Sequence, residues 1–263
     1  MKIKEFLEEQ KKTLETLDLE LFLMFVLNKD KTFIFLNQDF EVWNKELKVL
    51  YELIEKRKRH FSVAVLTWEK EFYWRRFFVN KNVLVPRPET EILISEILKE
   101  IKEWEKVLDI WTGSWIIPIT LCLEIKDLKM TALDISDKAL EVAKKNAEKF
   151  WVKINFIESD LLKNIDWKFD ILTANLPYVE NSYFDKSISK EPNLALYSWK
   201  DWLDHYRRLF EELKKWKVDF NFLFLEMADF QTTEVARLFS FFWKTEIIKD
   251  LNGQARIVKV SKI

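Results

Sequence analysis

Val107-Leu108-Asp109-Ile110-Trp111-Thr112-Gly113-Ser114-Trp115 is an apolar run that ends near a carboxylate and passes, through a short turn, into the apolar residues 116–123. A brief apolar run bounded by turn residues reads as a buried strand, and the longer segment after it as a helix. A strand over 107–110 therefore leads into a helix over 114–125. The alternation continues with a strand over 130–133 and a helix over 137–149, whose Leu140, Ala143 and Ala147 share one face. Strands near 154–157, 169–174 and 220–225, helices around 203–213 and 233–242, and final strands near 245–249 and 256–260 complete the pattern. Such alternation specifies an α/β fold, an open and doubly wound sheet of about seven strands. Sheets of this kind bind ligands beyond the carboxyl ends of their strands, where strand order reverses.

Upstream, the pattern is helical. Leu14, Leu17, Leu21 and Met24 recur at helical spacing, and Leu47, Leu50, Leu53 and Ile54 repeat it over 46–59, which predicts a small helical N-terminal domain. The β-prone stretches 72–79 and 83–85 flank Asn80-Lys81-Asn82 and predict a linking β-hairpin. Pro86-Arg87-Pro88 then breaks regular structure, and Thr90 is placed to cap a helix with Ile94, Ile97, Leu98 and Ile101 on its apolar face. The expected organisation is a helical domain over 1–70, a hairpin and linker over 71–88, and an α/β domain over 89–263.

A chain of 263 residues can bury such a core without covalent staples. Its 43 Lys and Arg against 44 Asp and Glu leave a net charge of -1, which gives no global electrostatic pull toward nucleic acid or a membrane surface. The first ten residues mix Lys and Glu unlike a secretory signal, and no run of about 18 apolar residues offers a membrane span. A cytoplasmic protein is expected. Cys122, the only cysteine, lies in an apolar run and reads as core, so no thiolate metal site is expected.

Four features fall at predicted strand ends. Asp109 closes the first strand, and the turn Trp111-Thr112-Gly113-Ser114-Trp115 opens a helix whose free N–H groups can meet a ligand. Asp134 closes the second strand, the usual place for a carboxylate accepting both ribose hydroxyls; each carboxylate alone also suits a helix cap or a solvated surface. After the third strand, Asp160 can orient a base edge and Leu161 can pack on it, with capping as the plain alternative for Asp160. The fourth strand runs directly into Asn175-Leu176-Pro177-Tyr178. There the Asn175 side-chain oxygen and the Leu176 carbonyl can accept both hydrogens of a planar NH2 group, in a relation that Pro177 stiffens. A structural turn is the other reading of these four residues.

Across nearly its whole length the chain resembles the protein-glutamine N5-methyltransferases that modify peptide-chain release factors. The resemblance rests on Glu71-Phe72-Tyr73-Trp74, on residues 85–91 (Val-Pro-Arg-Pro-Glu-Thr-Glu), on residues 109–115, and on Asp134-Ile135-Ser136 with Ala139-Leu140. It extends through Asn175-Leu176-Pro177-Tyr178, Glu191-Pro192 with Ala195-Leu196, and Asp250-Leu251-Asn252-Gly253 with Arg256. It implies a seven-stranded Rossmann-like class I methyltransferase sheet that uses S-adenosyl-L-methionine. By the same resemblance Asp109, Trp111, Thr112, Gly113, Ser114 and Trp115 form the cofactor loop, Asp134 holds the ribose, Asp160 and Leu161 stand near the adenine, and Asn175 touches cofactor and substrate. Asn175, Leu176, Pro177 and Tyr178 would hold the glutamine of a Gly-Gly-Gln segment. Leu176 stands where the family usually has a second proline, and a leucine supplies the same carbonyl with less rigidity. Release factors are the implied partners, with no stable nucleic-acid partner and no membrane.

Other functions use similar chemistry. The tetrapeptide also resembles that of adenine methyltransferases, whose nucleic acid would want a basic, aromatic groove; Lys56-Arg57-Lys58-Arg59 and Arg75-Arg76 are the obvious positive clusters. A noncatalytic module with a methyltransferase fold is a further alternative. His60 and His205 read as structural, away from the site. The composition adds a separate puzzle: 2 glycines and 12 tryptophans, where about 18 glycines are ordinary for this length. Trp68, Trp74, Trp111, Trp115, Trp199 and Trp202 coincide with glycine positions of the resembled family, and Trp151, Trp216 and Trp243 fall at expected element ends. Tryptophan in place of glycine, through a UGA codon assigned to glycine, is a coherent explanation of both counts, with deliberate substitution and natural drift as the alternatives.

Overall fold

The structure is a computed structural model that describes residues 1–163, 165, 168–177, 192, 201–216 and 218–262. Tyr178, Glu191, Ala195, Leu196 and Trp199 lie outside the described residues. The described residues fall into two compact units that divide between Glu69 and Lys70.

The first unit is helical: α1 (Ile3–Gln10), α2 (Thr16–Leu27), α3 (Lys31–Leu36), α4 (Asn44–Lys58) and α5 (Val63–Thr67). Its core joins Ile3 and Phe6 to Leu19, Phe22 and Leu23 of α2 and to Leu50, Leu53 and Ile54 of α4. The face of α4 is the expected one. That of α2 is not, because Leu17 is exposed and Leu19, Phe22 and Leu23 are buried. The helix Thr-Leu-Asp-Leu-Glu-Leu-Phe-Leu-Met-Phe-Val-Leu is apolar almost all round, so periodicity alone does not choose its buried side.

The second unit opens with a hairpin, β1 (Glu69–Phe72) and β2 (Arg75–Phe78). Its turn is Tyr73-Trp74, at φ 46° and 59°, and not the expected Asn80-Lys81-Asn82, which forms a separate side-chain-closed turn (Asn82 N–H to Asn80 Oδ1, 2.8 Å). Two consecutive left-handed residues match the right-handed twist of a two-residue hairpin. Glu91 accepts from the Tyr73 N–H at 2.9 Å, and the buried Asn146 exchanges two hydrogen bonds with the backbone of Phe78.

Behind the hairpin stand α6 (Thr90–Glu100), β3 (Lys106–Ile110), α7 (Ile116–Glu124), β4 (Lys129–Asp134), α8 (Asp137–Phe150), β5 (Asn155–Glu158), β6 (Ile171–Asn175), α9 (Asp204–Trp216), β7 (Phe222–Glu226), α10 (Thr232–Phe239), β8 (Lys244–Lys249) and β9 (Ala255–Ser261). The seven-stranded sheet has the order β5-β4-β3-β6-β7-β9-β8. The first five strands are parallel, and β9 runs antiparallel to both neighbours. Val107, Leu108 and Ile110 of β3 are fully buried, as are Ile171, Leu172 and Ala174 of β6. This double-sided burial is why parallel strands read as continuous apolar runs, and each such Val, Leu or Ile side chain contributes about 1.5–3 kcal/mol. Short β5 and the Lys- and Glu-bearing β8 form the two edges.

Candidate active site

Strand order reverses between β3 and β6, so the carboxyl ends of β3, β4, β6 and β7 form the switch-point crevice. Asp109 on β3 is fully buried. It accepts from the Thr112 hydroxyl, while its Oδ1 has no partner among the described residues. Burial, and then the carboxyls of Asp134 and Glu226, push its pKa well above the usual range, which favours the protonated acid.

Asp134 ends β4 with its side chain aimed back at the loop. Oδ2 accepts from Gly113 N–H and Oδ1 from Ser136 N–H, each at 2.9 Å. Burial pushes its carboxyl up to about 6, against the N–H groups of Ser136, Gly113 and Ile135. A carboxylate has about four acceptor sites, so Asp134 can hold the loop and still accept a hydroxyl.

The loop between β3 and α7 alternates left-handed residues: Trp111 at φ 63°, Gly113 at 54° and Trp115 at 68°. Thr112 N–H donates to the Leu133 carbonyl at 2.9 Å and Trp115 N–H to that of Thr112 at 3.0 Å. An added Cβ at Gly113 would meet nothing within 4 Å, so conformation and not space selects glycine there. Trp115 is fully buried with its indole Nε1 unpartnered among the described residues, its ring 4.4 Å from that of Phe156. The Trp111 ring lies 4.9 Å from that of His205. His205 therefore adjoins the loop, which corrects the expectation that it stands apart. Burial lowers its pKa, with Arg208 acting in the same direction and Asp160 and Asp204 opposing.

Asp160 and Leu161 follow β5. Asp160 is paired with Lys163 at 2.8 Å and Arg208 at 2.7 Å; burial raises its pKa, but these hydrogen bonds outweigh it and leave the carboxyl below its usual value. Leu161, at φ 56°, is buried in the core on the Leu172 side of the sheet.

Asn175 ends β6 in register with Glu226 at the end of β7. Leu176 and Pro177 follow it as buried residues. Glu226 is the functional candidate that the sequence reading missed. It is 5% exposed; its Oε1 accepts from the Thr90 hydroxyl at 3.0 Å, and its backbone carbonyl accepts from the Tyr206 hydroxyl at 2.9 Å. Thr90 is thus the first residue of α6 and not its cap. The Asn175 amide favours the charged form of Glu226, whose Oε2 has no hydrogen-bond partner among the described residues.

Asn175, Thr90, Trp111, Gly113 and Ser114 line one cavity of about 40 Å³. Small-molecule pockets commonly measure about 300–1,000 Å³. The donor set, with Asp134 and the loop N–H groups, suits a nucleoside; the space left beside Trp111 does not.

A seven-stranded sheet in this order, with carboxylates on the adjacent ends of β4 and β3 and an asparagine on the next strand end, β6, defines a Rossmann-like class I methyltransferase. Comparison with known proteins supports that class: residues 88–191 match the family "Methyltransferase small domain", and residues 1–67 match "PrmC N-terminal domain". The release factor glutamine methyltransferase of Dictyoglomus turgidum is 38% identical over 93% of this chain and 90% of its own. That of Leptospira interrogans is 35% identical over 99% and 96%. A methyltransferase from Pyrococcus furiosus shares the fold at a TM-score of 0.54, 14% identity, and coverage of 83% and 98%. The chain belongs to the release factor glutamine methyltransferase family, and the methyl donor of this class is S-adenosyl-L-methionine.

Proposed function

We propose that the chain methylates the side-chain amide nitrogen of the glutamine in a Gly-Gly-Gln segment of a peptide-chain release factor. The observation that carries this reading is Asn175 at the mouth of β6, on the same cavity as the loop that follows β3. S-adenosyl-L-methionine supplies the methyl group. The chain's own task is to present a poor nucleophile, because an amide lone pair is delocalised into its carbonyl. The Asn175 oxygen and the Leu176 carbonyl accept the two NH2 hydrogens and fix the nitrogen's direction, with Pro177 limiting the turn. Both acceptors also favour positive charge developing on that nitrogen. Asp109, Asp134 and the N–H groups of residues 111–115 form the cofactor side, and Tyr178 belongs to the substrate side.

The helical residues 1–70 are the substrate-recognition domain in this reading, since a loop-borne glutamine needs a second surface to deliver it. The enzyme is cytoplasmic, where its substrate works. Among the described residues no helix is long and apolar enough to cross a membrane. Arg57 pairs with Asp18 at 2.6 Å and Arg75 with Glu124 at 2.8 Å, so the two positive clusters of the sequence each spend charge within the chain, which does not favour the nucleic-acid reading.

The test uses protein carrying Trp111→Gly and Trp115→Gly with isotopically labelled cofactor and a purified release factor. Fragmentation should locate the label on the Gly-Gly-Gln glutamine. Label on another side chain or on added RNA, with none on that glutamine, overturns the assignment.

A further inference from the structure

Among the described residues, eleven non-glycine residues have positive φ, and six of them are tryptophan: Trp68, Trp74, Trp104, Trp111, Trp115 and Trp151. Only a few per cent of non-glycine residues adopt such φ values, with Asn, Asp and His the enriched types. A coincidence of six is not a property of indole rings. Each position has a backbone role that favours glycine. Trp68 and Trp151 are the left-handed residues that end α5 and α8, and the Val152 N–H returns to the Ala147 carbonyl at 3.1 Å as a glycine-ended helix does. Trp74 is the second residue of the β1–β2 turn, and Trp104, at φ 69°, sits in the turn between α6 and β3.

Two of the rings stand almost wholly in solvent. Trp74 is 83% exposed and Trp151 is 95% exposed. Trp115 is buried in the core, yet its Nε1 has no partner among the described residues, whereas a buried indole usually finds one. Trp111 lines a cavity too small for a nucleoside.

We infer that glycine occupies positions 68, 74, 104, 111, 115 and 151 in the working protein, because UGA codons in its gene are read as glycine and not as tryptophan. The backbone conformation reaches this independently of any family pattern, and it adds Trp104, which no motif marked. It also separates other tryptophans from these six: Trp43, Trp202 and Trp243 are absent from the left-handed set, and Trp243 packs among Phe210, Phe220, Phe239 and Phe242.

Two measurements decide it. The first is peptide mass spectrometry of the protein isolated from its own cells, read beside the codons of its gene. Glycine in the peptides that span the six positions, encoded by UGA, is expected; UGG codons there, or tryptophan in the peptides over 111 and 115, overturn the inference. The second is calorimetric titration of S-adenosyl-L-methionine into the chain as written and into its Trp111→Gly, Trp115→Gly variant. The variant should bind about tenfold or more tightly. Equal binding by both chains overturns the claim that these two rings close the site. If the full-length variant does not fold, the peptide result alone decides the residue identities.

The ends of β6 and β7 carry a separate arrangement that involves no tryptophan. Glu226 and Asn175 are in register, and Thr90 occupies one carboxyl oxygen of Glu226. We propose that Glu226 is a positioning residue: it takes the NH2 group of Asn175 and so leaves the Asn175 oxygen facing the cavity. This rests on the reading of Asn175 as the group that holds the substrate amide. A carboxamide has two faces, donor and acceptor, and only the acceptor face can serve an incoming NH2 group. Burial pushes Glu226 up to about 7, with Thr90, Asn175 and Arg256 lowering it and Glu89 raising it. Asp109 is the other buried carboxyl that senses its charge.

In the NMR spectrum of the full chain, the Asn175 side-chain NH2 signals should move with pH around 7. They should stop moving in Glu226→Gln, whose amide oxygen still accepts from Asn175. Turnover of the glycine-bearing enzyme should stay within about threefold in Glu226→Gln and fall with Asn175→Ala in Glu226→Leu. A pH-independent Asn175 signal, or a fully active Glu226→Leu, overturns the proposal. Should Asn175→Ala itself be active, the underlying reading of Asn175 fails instead. If Glu226→Leu does not fold, the NMR titration still decides.

Discussion

The two halves of the crevice are built from different materials. The β6–β7 side is made by side chains: Asn175 and Glu226 stand in register on the ends of rigid strands, and Thr90 of α6 donates to Glu226. The β3–α7 side is made by bare backbone, and its left-handed residues at 111, 113 and 115 leave room for a ligand only where side chains are absent. A site made of side chains survives a change in its neighbours. One made of backbone is lost as soon as a large ring is added to it.

Asn175→Ala should give the largest effect, because it removes an acceptor from a preorganised site while sparing the core. A loss of about 3 kcal/mol, on the order of 100-fold in turnover, is expected in the glycine-bearing enzyme. Near-normal turnover would erase the distinction between the two halves.

Next is the pH dependence of stability. The buried Glu226 carboxyl is raised to about 7, so its folded-state pKa lies above its unfolded one. Its contribution is full below about pH 4.5 and is lost as pH rises through 7. Chemical denaturation at pH 5 and pH 8 should show a decline that is smaller in Glu226→Gln than in the parent chain by on the order of 3 kcal/mol, the shared remainder coming from Asp109 and Asp134, whose buried carboxyls are raised too. Equal declines in both chains would show that the β7 end is not the titrating element.

Asp134→Asn tests the backbone side through its one charged anchor. Removing the charge from an acceptor bound to Gly113 and Ser136 should weaken cofactor binding by about 2 kcal/mol in the glycine-bearing chain. Calorimetry measures this, and unchanged affinity would leave the loop to act without its carboxylate.

The smallest effect is the cleanest. Trp151 is almost wholly exposed at a left-handed helix end, so Trp151→Gly should stabilise the chain by about 1 kcal/mol, where loss of a packed tryptophan would destabilise it. A lower denaturation midpoint for the variant would show that the ring packs usefully after all.

The sheet was readable because strands buried on both faces appear as unbroken apolar runs, and their ends exposed Asp109, Asp134 and Asn175 directly. Glu226 was not readable, since one carboxylate after the run 220–225 looks like an ordinary solvated strand end. Its partner Thr90 comes from 136 residues away. The hairpin was misplaced because Asn-Lys-Asn carries turn chemistry, whereas Tyr73-Trp74 hides it behind a residue that does not suit its φ. Asp160 was recognisable as a strand-end carboxylate, but its partner Arg208 lies 48 residues away.

The sheet's margins bear on how the chain behaves in a crowded solution. A strand whose backbone groups face outward can recruit another strand and seed insoluble assemblies. Here one margin, β5, is only four residues long, and the other, β8, carries Lys244, Glu246 and Lys249 among its outer residues. Because β9 is enclosed between β7 and β8, the most apolar part of the C-terminal hairpin never reaches a margin. The domain is therefore protected against edge-to-edge association by brevity on one side and by charge on the other.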